Sequence, residues 1–293
     1  MPIRLCYTAG EDTFPLPPKI KERYGPFGFP RVFPALRPFV SSNFVTGLDG
    51  KAAFLEVSPS TGGKTVSRSR DDRWLMDFLR AHHDAQLMGA GTLRDEKGPD
   101  GKGWDYGIDD DELNSYRREI LKLGPQKIII VTGTGELDLT MRLFHSPRVE
   151  PWILTTTDGE NNLRAKIQIG GPAGAFRVIR AGEGERVDLT AALKTLRQEH
   201  GIQTLLCEGG PILYGELLKR RLIDEDFRTL SLQVMGESTK LGAERPTAYG
   251  KVSYVPETAP WFRLISIHHA LPYHVFFRFR YEGPRDFAPG GER

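Results

Sequence analysis

The chain has 293 residues, 39% of them hydrophobic and 27% charged, with a formal net charge of +2. These are the fractions of an ordinary globular protein, and so small a net charge without a dense Lys/Arg run argues against nucleic-acid binding. No apolar run approaches the ~20 residues of a membrane span, and two cysteines, Cys6 and Cys207, cannot build a four-thiolate zinc site or a disulfide framework, so a reducing cytoplasm is the expected compartment.

Residues 1–36 are rich in proline (Pro15, Pro17, Pro18, Pro26, Pro30, Pro34), with Phe14, Tyr24, Phe27, Phe29 and Phe33 interleaved. Such density forbids a long helix or a central strand. It predicts a surface arm whose aromatics pack on its own domain or on a partner subunit.

Residues 37–46 predict the first core strand, broken at 47–50 and resumed at 51–54, with a polar loop over 58–67. Residues 68–82 predict a helix with Trp74, Leu75, Phe78 and Leu79 on one face. A second strand over 84–90 runs into Gly89-Ala90-Gly91-Thr92. The loop over 97–111 is long enough to be a lid or binding loop. A charged helix follows over 112–123, favoured at its start by Asp109-Asp110-Asp111-Glu112 and stopped by Gly124-Pro125.

Residues 127–132 read as a buried strand closed by Gly133-Thr134-Gly135, and further strands fall at 151–156 and 176–180, with a helix starting near Asn161. A helix over 188–199 has Asp188 as its cap and Gly201 at its end. Next come Leu205, Leu206 and Cys207, then Glu208, Gly209, Gly210 and Pro211, then an amphipathic run to Leu218. This is a strand, a tight turn and a helix. Pro211 suits the first helical position, and the free N–H groups of the helix start make a seat for phosphate. An apolar strand over 227–235, a polar loop over 236–249, and two antiparallel strands over 261–268 and 273–281 complete the chain.

Repeated β-α-β units with an antiparallel end define an α/β fold with a mostly parallel sheet, antiparallel C-terminal edge strands and flanking helices. Its boundaries are an arm over 1–36, a folded domain over 37–282 and a loose tail over 283–293. His82 and His83 end a helix, where positive charge is favourable. His268 and His269 read as surface or interface residues, and Cys207 as a small apolar strand residue.

Four pieces stand in order: Thr46-Gly47-Leu48-Asp49-Gly50-Lys51, Leu79 to Thr92, Cys207-Glu208-Gly209-Gly210-Pro211, and Leu222-Ile223-Asp224-Glu225. Together they resemble the pyrimidine reductase family of riboflavin biosynthesis, the RibD C-terminal domain, a relative of dihydrofolate reductase. The resemblance covers residues 37–281. It implies a dihydrofolate-reductase-like fold, NADPH as hydride donor, a homodimer, and reduction of a ribosylamino group on a phosphorylated pyrimidine to a ribitylamino group. The protein then orients two reactants while the cofactor carries the chemistry.

The resemblance also implies site residues. Gly89, Gly91 and Thr92 match a cofactor-phosphate turn, Thr132 and Gly133 an adenosine-side strand end, and Gly209 and Gly210 a double-glycine turn, often cis in that superfamily, that leads into Pro211, Ile212 and Leu213. Val45 falls beside the nicotinamide amide, and Glu96 where relatives carry an acid near ribose and cofactor. Arg94 is the candidate cation for a 2′-phosphate, or equally a solvated helix residue. Glu208 matches a carboxylate on the pyrimidine side, suited to amino and ring N–H donors, and Asn43 lies on the same side. Asp49 and Lys51 belong to a turn that contacts ligand or simply bonds its own backbone.

Two departures stand out. Gly47 replaces a usual serine, and Lys97-Gly98-Pro99-Asp100 replaces the segment that helps hold the substrate phosphate. The alternatives are therefore a reductase of another heterocycle or carbonyl compound, and a non-catalytic nucleotide-binding protein. The His/Cys spacing of a zinc deaminase is absent, and no metal is expected.

Overall fold

The computed structural model describes residues 3–10, 14–30, 32–56, 62–98, 100–168 and 176–284. Most of the expected 283–293 tail and part of the 58–67 loop lie outside the described residues. Ten strands form one sheet: β1 (Arg4–Thr8), β2 (Phe39–Thr46), β3 (Ala85–Gly89), β4 (Gln126–Thr132), β5 (Val149–Thr155), β6 (Arg177–Arg180), β7 (Thr204–Cys207), β8 (Glu225–Ser231), β9 (Trp261–Ala270) and β10 (His274–Gly283). They lie in the order β1-β9-β10-β8-β2-β7-β3-β4-β5-β6. Every pairing from β8 through β6 is parallel, and those joining β8, β10, β9 and β1 are antiparallel. The mostly parallel sheet with antiparallel edge strands is thus the one expected.

Parallel strands covered on both faces read as continuous apolar runs. Ile128, Ile129 and Ile130 in β4 are fully buried and divide between the two faces. Helices α6 (Leu189–Gln198) and α7 (Pro211–Lys219) lay Leu193, Leu196, Tyr214 and Leu217 against Leu87, Ile129 and Leu205. On the other face, α2 (Arg70–His82) packs Trp74, Phe78 and Leu79 against Leu206 and Phe227. Helix α5 (Thr157–Gln168) begins four residues before the expected start, because Thr156 Oγ1 already accepts from the Gly159 amide.

The proline-rich segment is built into the fold. Residues 4–8 add an edge strand to β9, and α1 (Pro18–Tyr24) is a short helix with Pro18 at its first position. Phe27 and Phe29 are buried against Phe78 and Phe39. Pro18 opens α1 and Pro26 lies just past its end, which confines the helix to seven residues.

Four polar readings change. His82 and His83 do end a helix, but both are buried. Burial pushes their imidazoles down to about 3 and about 4, so they are neutral rather than charged partners of a helix end. His82 bonds the Phe78 carbonyl and the Tyr116 hydroxyl, and His83 the Leu79 carbonyl and the Ser41 hydroxyl. His268 is likewise buried, held by the Tyr24 carbonyl of α1 at 2.8 Å and stacked on its ring. Finally, β8 starts two residues earlier than expected. The two added residues, Glu225 and Asp226, are paired with Arg278, Arg280 and Arg228 inside the sheet.

Candidate active site

A cleft of about 1800 Å³ opens at the carboxyl ends of β2, β3, β4 and β7. Open α/β sheets place ligands there because the strand-to-helix turns and helix N-termini converge at that edge. Of the expected site residues, Asn43, Val45, Gly89, Gly91, Thr92, Arg94, Glu96, Thr132, Gly133, Glu208, Gly210, Pro211, Ile212 and Leu213 all line it.

One wall is main chain. The Gly89 amide donates to the Gly209 carbonyl at 2.8 Å, and the Glu208 amide to the Leu87 carbonyl at 3.0 Å. These bonds stitch the turn after β3 to the turn after β7. Gly209 sits behind the lining at φ 108°, a conformation that favours glycine, and the Gly209–Gly210 peptide is cis. A methyl group on Gly210 would lie 3.1 Å from Thr92 Oγ1, so bare backbone is what the approach of the two turns allows.

The helix ends differ in a telling way. Helices α2, α4 (Asp111–Glu119) and α6 are capped by the side chains of Ser69, Asp110 and Asp188. Helix α7 starts at Gly210 with no side-chain cap and with Pro211 in its first turn. Its first amides therefore need an acceptor from outside the chain. The residues present fit a dinucleotide pyrophosphate: uncapped amides, glycine backbone on both sides and the Thr92 hydroxyl.

At the carboxyl end of β4, Thr132 Oγ1 accepts from the Gly135 amide at 3.1 Å. A methyl group on Gly133 would fall 1.8 Å from the Glu185 carbonyl oxygen, so glycine there is required by close packing of the 182–187 loop. Arg94 and Ile212 are exposed at the rim.

The opposite end carries charge. Arg80 from α2 holds Glu208 in a bidentate pair, 2.9 Å from Nε to Oε1 and 2.6 Å from Nη2 to Oε2. Both side chains are buried, and Asp77 lies 3.6 Å from the same guanidinium. Burial raises the Asp77 carboxyl, with Arg80 and Arg73 opposing. Glu96, just beyond α3 (Ala90–Asp95), is also in this group. Burial pushes its carboxyl up to about 7, Tyr106 and Arg80 oppose the rise, and Glu208 adds to it. The Tyr106 hydroxyl is buried beside Glu96 with no partner of good hydrogen-bond geometry among the described residues. Lys64 covers the face of Trp104, 3.9 Å from the ring centroid, across the same end.

Asp49 and Lys51 stand apart from the cleft lining. Asp49 accepts from the Met235 and Gly236 amides at 2.8 and 2.7 Å, which hold its carboxyl below the usual range despite an opposing contribution from burial. Lys51 reaches the Arg245 carbonyl at 3.3 Å. Both fasten the 47–51 turn to the 235–247 loop. Conversely, Arg80, Lys64, Trp104 and Tyr106 line the cleft without having been singled out from the sequence. Arg80 sits inside one of the motifs quoted above. The other three lie on connections whose path no local pattern sets.

The fold and cleft define an α/β protein with a ligand site across the carboxyl edge of a parallel sheet, one half main chain and one half charged. A sequence profile of the RibD C-terminal domain matches residues 38–252. The chain belongs to that family. It is 26% identical over 204 residues to the 2,5-diamino-6-ribosylamino-4(3H)-pyrimidinone 5′-phosphate reductase of Candida glabrata, covering 68% of this chain and 77% of that one. Among solved structures, a pyrimidine reductase-like protein of Corynebacterium diphtheriae aligns at TM-score 0.64 and 19% identity, over 85% of this chain and 93% of that one. A riboflavin biosynthesis reductase of Saccharomyces cerevisiae aligns at TM-score 0.56 and 15% identity, over 86% and 93%.

Proposed function

We propose that this protein is an NADPH-dependent reductase that converts a ribosylamino-pyrimidine 5-phosphate to its ribitylamino product in riboflavin biosynthesis. The observation that carries this is the division of one cleft into an uncapped glycine wall and an Arg80–Glu208 end. The resemblance, and the similarity to the pyrimidinone phosphate reductase of Candida glabrata, support the substrate class.

The α7 amides, Gly89, Gly91, Thr92 and Gly210 hold the pyrophosphate, Thr132 and Gly133 flank the adenosine, and Val45 meets the nicotinamide. Arg94 serves the 2′-phosphate. When bound, NADPH supplies the hydride. Glu208, fixed as a carboxylate acceptor by Arg80, takes the amino and ring N–H groups of the base, with Asn43 beside it. Orientation of the two reactants is the protein's main contribution.

Titration with NADPH and NADH followed by nicotinamide fluorescence, then NADPH oxidation with the ribosylaminopyrimidine phosphate, tests this reading. Glu208→Ala removes turnover and leaves NADPH binding intact. NADPH binding without oxidation by that substrate would sink the riboflavin assignment. One observation favours a second reading, reduction of a smaller or unphosphorylated heterocycle. Arg73, Arg142 and Arg148 at the cleft are each paired with an acid of the 97–110 loop, namely Asp109, Asp100 and Asp105.

A homodimer in the cytoplasm completes the proposal. Val275, Phe277 and Phe279 of β10 are half-exposed on one sheet face, with the two phenylalanine rings stacked at 5.4 Å. An apolar face of this kind suits a second copy.

A further inference from the structure

Resting on that reading, we propose that Asp72, in the first turn of α2, is a cofactor-binding residue, the acceptor for the amino group of the nicotinamide carboxamide. The strand order sets where that ring lies. In the proposed reading adenosine sits at the end of β4, and the pyrophosphate sits between the turns after β3 and β7. Strands β3, β7 and β2 follow β4 across the sheet. A dinucleotide laid along the carboxyl edge therefore brings its other ring over the end of β2.

Asp72 is placed at that end by two contacts. Val45 of β2 pairs with Thr229 of β8, and the Thr229 hydroxyl donates to Asp72 Oδ1. The faces agree. Ser41 of β2 meets His83, just past the end of α2, through its hydroxyl. Residues two apart share one face of a strand, so Asn43 and Val45 face the α2 side as well. Asn43, Val45 and Asp72 all line the cleft.

The chemistry of Asp72 differs from that of the other acids there. Asp109 pairs with Arg148, and Glu208 with Arg80. Asp72 is held by the Thr229 hydroxyl instead, with the Ser67 hydroxyl beside it, while its neighbour Arg73 turns to Asp77 and Asp109. Burial raises its carboxyl, and the two hydroxyls, His274 of β10 and Arg73 oppose the rise. A carboxylate removed from water is stabilised by each N–H donor it gains, and the carboxamide amino group supplies one. An amino group of the pyrimidine is the competing donor. The base, however, is placed on Glu208 at the end of β7, and β2 lies between β7 and β8.

The test compares NADPH with its reduced 3-acetylpyridine analogue, in which a methyl group replaces the carboxamide amino group and the carbonyl stays. Both are titrated calorimetrically into the full-length protein and two variants. The unsubstituted protein binds NADPH at least ~10-fold more tightly than the analogue, as a hydrogen bond to a charged group implies. Asp72→Ala weakens NADPH at least ~5-fold and leaves the analogue within about twofold, which also shows that the variant is folded. Asp72→Asn keeps the shape and one acceptor oxygen without the charge, and gives an intermediate preference. It decides alone if Asp72→Ala does not fold. An unsubstituted protein without a preference, or variants that keep the full preference, overturn the assignment while the functional reading stands. Equal weakening of both ligands does the same, since that is what a merely structural Asp72 predicts. A full preference with a raised KM for the pyrimidine puts Asp72 on the substrate and overturns the assignment too. An unsubstituted protein that binds neither ligand overturns the functional reading and the assignment together.

Discussion

Arg80 and Glu208 form a two-pronged ion pair, 2.9 and 2.6 Å, inside the molecule. Both groups are almost wholly removed from water, so each depends on the other. Removing the cation strands a buried carboxylate and takes from Asp77 a guanidinium 3.6 Å away. Arg80→Ala is expected to cost about 3–5 kcal/mol, read from urea unfolding. Because the two sites share one interaction, the Arg80→Ala/Glu208→Ala double variant loses less than the sum of the singles. Additive losses would show that the pair is not coupled.

Acid sensitivity follows from the histidines. His82, His83 and His268 have folded-state values depressed by burial to about 3, about 4 and about 4. A depressed histidine contributes stability that is full above its unfolded value near 6.5 and is lost as pH falls toward the folded value. Each therefore removes up to about 1.4 kcal/mol per pH unit below ~6.5. Urea midpoints at pH 7 and pH 5 should differ steeply. His268→Gln should flatten that difference, and an unchanged slope would show that His268 is not held neutral.

Gly133→Ala tests the packing between the end of β4 and the 182–187 loop. The added methyl group meets a backbone carbonyl, which yields less than a flexible side chain does. A loss of about 1–3 kcal/mol is expected, together with weaker NADPH binding as the 182–187 loop is displaced. A thermal midpoint and affinity equal to wild type would contradict this.

The arm carries core energy. Phe27 is 1% exposed and packs on Phe78, Phe227 and His82. Phe27→Ala should cost about 3–5 kcal/mol, the range of a core aromatic truncation, whereas a peripheral arm would tolerate it within about 0.5 kcal/mol. Calorimetric unfolding separates the two.

For the dimer, sedimentation at micromolar concentration should give twice the chain mass. Phe277→Asp, on the half-exposed face of β10, should release monomers that retain NADPH binding. A monomeric wild type would remove the proposed partner.

Glu208, Gly209, Gly210 and Pro211 were legible because chemistry and backbone need coincide within four adjacent positions. A carboxylate at a strand end, two glycines and a proline at a first helical turn leave few other local readings. The same holds for Gly89 to Thr92 and for the apolar run of β4. Short-range sterics and periodicity determined these elements, and with them the parallel sheet and its cleft edge. Tertiary structure alone decided the charges. Arg80 is 128 residues from Glu208, and Arg278 is 53 from Glu225. Which buried charge meets which is set by strand order and helix docking, since no pattern along the chain encodes a contact at that separation. It was packing, too, that turned His82 and His83 from charged to neutral and moved Asp49 and Lys51 out of the cleft. And it drew Tyr106 beside Glu96, because the path of the 97–110 loop depends on the surfaces it crosses rather than on its own glycines and aspartates.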